Sequence, residues 1–274
     1  MGQAACRQAL KGADLRIDEV DLVLCSTTTP VGVSPSMACR IVDGLTPPGA
    51  DAVMPAYDIN AACSGYLFAL QNAYDFLQSV PTGRVLIVTT EVLSPLLDPE
   101  DPDTAIIFGD AASATLVYGE EHFDQTQAQL RRPELSGKAE DGTMLSVPQQ
   151  GGGYIQMQGR KVFSQAVRHM MSSLTRACHA SDLEVDDLKM VIPHQANERI
   201  VDAVRNRLDV EVFSNIQQLG NTSSTSIPLC LEEVLPRLTP GEQVGICAFG
   251  AGFTFGAAVL EKTSAAENIV GKAA

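Results

Sequence analysis

Residues 55–79 read PAYDINAACSGYLFALQNAYDFLQS. The first six residues predict a strand over 55–60. From Ser64 onward the apolar residues fall at helical spacing and predict a long helix over 64–79. Cys63 stands at the turn between the two. A sharp strand-to-helix turn lifts a nucleophile clear of a sheet. Its neighbours Ala61, Ala62 and Gly65 are small enough for close backbone approach. A helix N-terminus also favours a thiolate, by roughly 0.3–1 kcal/mol. Cys63 is therefore the candidate nucleophile, whereas Cys25, Cys39 and Cys247 read as buried structural cysteines.

Outward from this unit, strands and helices alternate. A helix is predicted over 2–12, a strand over 21–26, a helix from Pro35 to about 43, and a strand over 84–90. Residues 105–118 form two apolar pieces broken at Gly109-Asp110. The polar, Gln-rich stretch 119–158, with Pro133, Gly137, Gly142 and Gly151 to Gly153, reads as a surface excursion. Alternation then resumes: helix 160–179, strand 189–192, helices 196–208 and 223–237, strands 243–249 and 254–261. Such alternation predicts an α/β fold with a mostly parallel, helix-covered sheet. IFGDAASATLVYG at 107–119 echoes ICAFGAGFTFGAAVL at 246–260, which suggests two similar halves. The expected organisation is an N-terminal half over 1–120, a connection over 121–158, a C-terminal half over 159–261 and a flexible tail over 262–274.

The chain has 274 residues, 45% hydrophobic and 19% charged, which suits a globular enzyme and excludes a disordered chain. No apolar run is long enough for a membrane span and no signal pattern opens the chain, so a cytoplasmic protein is expected. The net charge of -14 argues against nucleic acid. Seven cysteines without CxxC, and four histidines without HExxH, predict neither disulfides nor a metal.

Two further polar residues stand at junctions ahead of predicted helices. His194 lies in PHQAN, and Asn221 in GNTSS. Three such junctions describe a site at one end of a sheet. Taken singly, each is also a common cap or buried polar group.

INAACSGY, PHQAN, GNTSSTSIP and FGAGFTFG, in that order, closely resemble the ketoacyl-acyl carrier protein synthase III family of thiolase-like condensing enzymes. The resemblance spans residues 1–261. It implies a five-layered αβαβα fold of two duplicated halves, a homodimer and a Cys63-His194-Asn221 site. Cys63 would take an acyl group from acyl-CoA. His194 and Asn221 would stabilise the enolate formed by decarboxylation of malonyl-acyl carrier protein. Backbone N–H groups of Cys63 and Ala251 would form an oxyanion hole. Ser34 and Phe249 would border the acyl pocket, and Gly159, Arg160 and Ala196 the CoA arm. Arg199 and Arg207 would dock the carrier. No cofactor is implied beyond CoA thioesters as substrates.

Four departures stand out. Gly250-Ala251-Gly252 replaces three glycines, and Met157-Gln158-Gly159-Arg160 replaces a motif ending in Asn. Ser34 occupies the place of a tunnel-blocking Phe, which predicts acceptance of longer acyl chains. The family has a few dozen residues ahead of the segment matching Met1–Ala13, which implies that an inner first strand and a Trp-bearing CoA loop are missing. Two alternatives stay open: acyl transfer to an alcohol or amine without decarboxylation, and a non-catalytic partner subunit of a heterodimer.

Overall fold

The apolar run LVLCS forms strand β1 (Leu22–Ser26), buried throughout, between helices α1 (Gly2–Gly12) and α2 (Met37–Leu45). β2 (Ala56–Ile59), α3 (Gly65–Ser79), β3 (Arg84–Glu91), the short α4 (Pro102–Ala105) and β4 (Ala111–Tyr118) follow. The strands pair in the order β2-β1-β3-β4, with β4 antiparallel to β3 and the rest parallel. The computed structural model describes residues 1–139, 144–148 and 152–264. Gly142, Gly151 and most of the expected tail lie outside the described residues.

The stretch read as an excursion holds β5 (Ala128–Leu130), β6 (Glu134–Gly137), β7 (Leu145–Ser146) and β8 (Gln156–Met157). Then come α5 (Gly159–His179), β9 (Met190–Pro193), α6 (Glu198–Arg205), β10 (Glu211–Val212), α7 (Ile216–Leu219), α8 (Ser226–Val234), β11 (Gln243–Gly250) and β12 (Thr254–Lys262). The second sheet runs β10-β9-β11-β12-β5, and β6 also pairs with β12. The polar stretch therefore supplies two strands to this sheet. Their partner lies far downstream, so local patterning gave no sign of the pairing.

The halves repeat one plan. β1 and β2 match β9 and β10, and the antiparallel pair β3–β4 matches β11–β12. Each echoing segment leads into the last strand of its half. α1 and α2 cover the outer face of the first sheet, and α5 and α6 that of the second; α3 and α8 lie between the sheets. Five layers, αβαβα, result. The central layer buries Leu24, Leu67, Ile87, Ile192, Ile227 and Ile246 in one cluster drawn from both halves.

Three expectations change in detail. α2 begins at Met37, after Pro35, because Ser36 caps it and Asp58 of β2 accepts the N–H groups of Met37 and Ala38, both at 2.8 Å. Cys39 is exposed, because α2 turns Ala38, Ile41 and Val42 inward instead. The first sheet lacks no inner strand: β1 and β3 pair directly from Leu22↔Val85 to Ser26↔Thr89. The place that β5 and β6 fill in the second half corresponds to the outer edge of β4, where no strand pairs among the described residues.

Candidate active site

Between β2 and α3 the chain makes a tight helical turn over Ala62–Ser64. Ala62 takes φ 47°, a left-handed conformation that a non-glycine residue rarely adopts. The turn is tied to the other half: Ser64 Oγ donates to Thr254 O at 2.9 Å, and Thr254 Oγ1 donates to Ala61 O at 2.8 Å. At Gly250 an added Cβ would stand 2.8 Å from Cys63 N, so the end of β11 passes against the Cys63 backbone. Cys63 itself is half-buried at the wall of an apolar cavity of about 60 Å³.

His194 and Asn221 line the same cavity, with Ser223, Phe249 and Ala251. His194 follows β9, and burial pulls its pKa down to about 3, so the ring is neutral. Its Nδ1 lies 2.7 Å from Ser226 Oγ. Asn221 Oδ1 accepts the Ser223 N–H at 2.9 Å, which turns the amide NH₂ the other way as a donor. Ser223 has φ 52°, a second left-handed non-glycine residue beside the cavity. Strain of this kind costs about 1–3 kcal/mol and persists where the surroundings over-determine it.

Burial pushes the Cys63 thiol up to about 12, opposed by a hydrogen bond from Ser223 and reinforced by the nearby Glu91 carboxylate. This shift disfavours the thiolate and opposes the pull of a helix N-terminus. One physical reason is that α3 proper starts only at Gly65, beyond the turn that holds Cys63.

Glu91 went unread in the sequence. It closes β3, fully buried, and accepts Thr28 N–H at 3.0 Å, Thr28 Oγ1 at 2.8 Å, Thr29 Oγ1 at 3.1 Å and Ser224 Oγ at 2.9 Å. Burial pushes its carboxyl up despite these bonds. A charge ending the apolar run RVLIVTTE was the available signal. Ser223 and Ser226 were likewise passed over inside GNTSSTSIP.

The remaining expected residues separate into two groups. Phe249, Ala251, Gly159 and Ala196 line the cavity with Cys63. Ser34, Arg160, Arg199 and Arg207 are exposed and do not. Ser34 sits on the loop after β1, so within one chain it borders no part of the cavity.

A family model described as 3-oxoacyl-[acyl-carrier-protein (ACP)] synthase III matches residues 57–132, and one described as the C terminal of that enzyme matches residues 178–262. The beta-ketoacyl-[acyl-carrier-protein] synthase III of Rhodopirellula baltica is 35% identical over 293 residues, covering 93% of this chain and 82% of its own. That of Aquifex aeolicus is 36% identical over 265 residues, with 95% and 82% covered. The crystal structure of the Aquifex aeolicus synthase III superposes with a TM-score of 0.86 at 34% identity, covering 95% of this chain and 83% of that one. The Pseudomonas aeruginosa synthase III also gives 0.86, at 31% identity, with 97% and 83% covered.

Proposed function

The chain belongs to the 3-oxoacyl-[acyl-carrier-protein] synthase III family of acyl-transferring condensing enzymes, and on that premise we propose that it extends an acyl group by decarboxylative condensation through an acyl-Cys63 intermediate. The observation that carries the proposal is that Cys63, His194 and Asn221, from three separate junctions, line one cavity.

In the first half-reaction the Cys63 sulfur attacks the carbonyl of an acyl-CoA. The C–S bond to CoA breaks, and the Cys63 proton leaves with the CoA thiol. Backbone N–H groups of Cys63 and Ala251 would hold the tetrahedral oxyanion. In the second, a malonyl thioester on acyl carrier protein loses carbon dioxide. The electron pair of the broken C–C bond moves to the thioester oxygen. A neutral His194 and the Asn221 amide donate to that oxygen without taking charge, and such a donor is worth about 2.7–4 kcal/mol. The enolate carbon then attacks the acyl-Cys63 carbonyl, and the Cys63 sulfur departs and recovers a proton. The product is a 3-oxoacyl carrier thioester. Arg199 and Arg207, exposed on and just past α6, would receive the acidic carrier.

The protein would act as a homodimer. Support comes from Val31, Val33 and Val53, which are 70%, 90% and 92% exposed on the loops leading out of β1 and into the edge strand β2. Among the described residues no helix is long and apolar enough to cross a membrane. Seven free cysteines suit a reducing cytoplasm.

The deciding experiment incubates the protein with a panel of acyl-CoAs, reads intact mass, then adds malonyl-acyl carrier protein and measures carbon dioxide. Acylation of wild type but not of Cys63→Ala, followed by decarboxylation and a 3-oxoacyl product, is expected. Acylation without carbon dioxide would favour transfer to another acceptor, and no acylation would favour a non-catalytic subunit.

A further inference from the structure

His194 can serve as a donor into the cavity only if its proton sits on the nitrogen that faces the cavity. A neutral imidazole carries one N–H, and the bond made by its other nitrogen decides which. Here that bond is the 2.7 Å contact between Nδ1 and Ser226 Oγ, at the first residue of α8.

A serine hydroxyl has one hydrogen to give and two lone pairs to receive. Ser226 Oγ, 2% exposed, receives the Gln195 N–H at 3.4 Å. Among the described residues His194 is its only other hydrogen-bond partner. If Nδ1 carried the proton, Ser226 Oγ would accept twice and its own hydrogen would be buried without an acceptor. A buried donor left unpaired forfeits its solvation with nothing in return. If Ser226 donates to Nδ1 instead, the Gln195 N–H, the Ser226 hydroxyl and His194 Nδ1 are all paired, and the Nε2–H is left for the cavity. Gln195 is held in place for this purpose: its Nε2 donates to Pro193 O at 2.7 Å, and its Oε1 accepts from Ser214 Oγ at 2.9 Å and Asn215 N–H at 3.2 Å.

We infer that Ser226 is a positioning residue for the reaction: the relay Gln195 N–H to Ser226 Oγ–H to His194 Nδ1 locks His194 as the Nε2–H tautomer, with that N–H presented to the cavity. The same relay sets the ring orientation, since α8 carries the serine and the histidine directly follows β9. The role of the Nε2–H as an oxyanion donor rests on the condensation proposed above, but the tautomer itself does not.

The test is ¹⁵N–¹H correlation spectroscopy of the full chain labelled at histidine, near neutral pH, with the His194 signals assigned by their loss in His194→Gln. Wild type is expected to show His194 protonated at Nε2 and unprotonated at Nδ1. Ser226→Ala should move a measurable fraction of His194 to the Nδ1–H form or to tautomer exchange. Malonyl decarboxylation should fall by about 10-fold or more, as when an imidazole is left in the wrong tautomer. The loss should fall on that step more than on Cys63 acylation. An Nδ1–H tautomer in wild type overturns the inference, whatever the variant does. So does a Ser226→Ala protein that keeps a pure Nε2–H signal and wild-type decarboxylation. A wild type with the expected tautomer that releases no carbon dioxide would support the relay and sink the condensation reading, so the two failures are distinguishable.

Discussion

The N–H of Asn221 donates to the carbonyl of Ile107 at 2.8 Å, and the Asn221 carbonyl accepts the Gly109 N–H at 3.0 Å. A side chain read from the second half of the sequence is thus hung, by its backbone, on a segment of the first half. The converse holds for Cys63, whose turn is bonded to Thr254 at the start of β12. Neither half holds its own part of the site alone.

Gly220 makes the first attachment possible. It has φ 68°, and a Cβ there would lie 2.9 Å from Ile107 O. Gly220→Ala should cost about 1–3 kcal/mol in urea unfolding. It should also slow decarboxylation more than Cys63 acylation, because Asn221 is the residue displaced. Wild-type stability together with wild-type decarboxylation would refute this.

Gly250 is the matching point for Cys63. A methyl there meets Cys63 N at 2.8 Å and Ala62 Cβ at 3.1 Å. Gly250→Ala is expected to destabilise by about 1–3 kcal/mol and to slow acylation by acyl-CoA. Gly12→Ala, with nothing within 4 Å, is the control and should do neither. Equal acylation rates for Gly250→Ala and wild type would show that the turn tolerates the shift.

His194→Ala and Asn221→Ala should each lose malonyl decarboxylation by about 10²-fold or more while retaining most acylation of Cys63. Asn221→Asp should be no better than Ala, since an ionised carboxylate offers no donor to a forming oxyanion. A rate close to wild type in any of the three would remove the donor role from that residue.

Buried His194 also shapes the pH dependence of stability. Its pKa is about 3 in the fold against 6.5 for an unperturbed histidine. Between those values the unfolded chain binds a proton that the native protein refuses, so stability rises with pH across that window. The slope from this group is about 1.4 kcal/mol per pH unit. Glu91 carries the opposite sign: its carboxyl is pushed up from 4.5, so its contribution is present at low pH and lost as pH rises through the raised value. Denaturant unfolding from pH 4 to 6.5 should be flatter for His194→Gln than for wild type, and parallel curves would show that His194 is not held neutral.

Arg199→Glu should raise the apparent KM for malonyl-acyl carrier protein at low salt and leave acyl-CoA kinetics alone. The difference should shrink as salt screens the charge. Identical KM values at low salt would move the docking surface elsewhere.

The sequence by itself determined the elements and the candidate reacting groups. Apolar spacing is a property of contiguous residues, so β1, α3, β3, α5 and β11 were legible to within a few residues, and Cys63, His194 and Asn221 stood out at their junctions. Only the tertiary structure decided what those groups touch. β5 and β6 join a sheet through β12, Asp58 caps a helix from a neighbouring strand, and Glu91 ties Thr28 to Ser224. Ser34, placed by resemblance at the acyl pocket, faces solvent on its own chain. Ser226 faces the histidine across the gap between two elements. Hydrogen-bond partners distant in the chain are selected by strand register and by which helix face is buried, and both are fixed only when the five layers pack together.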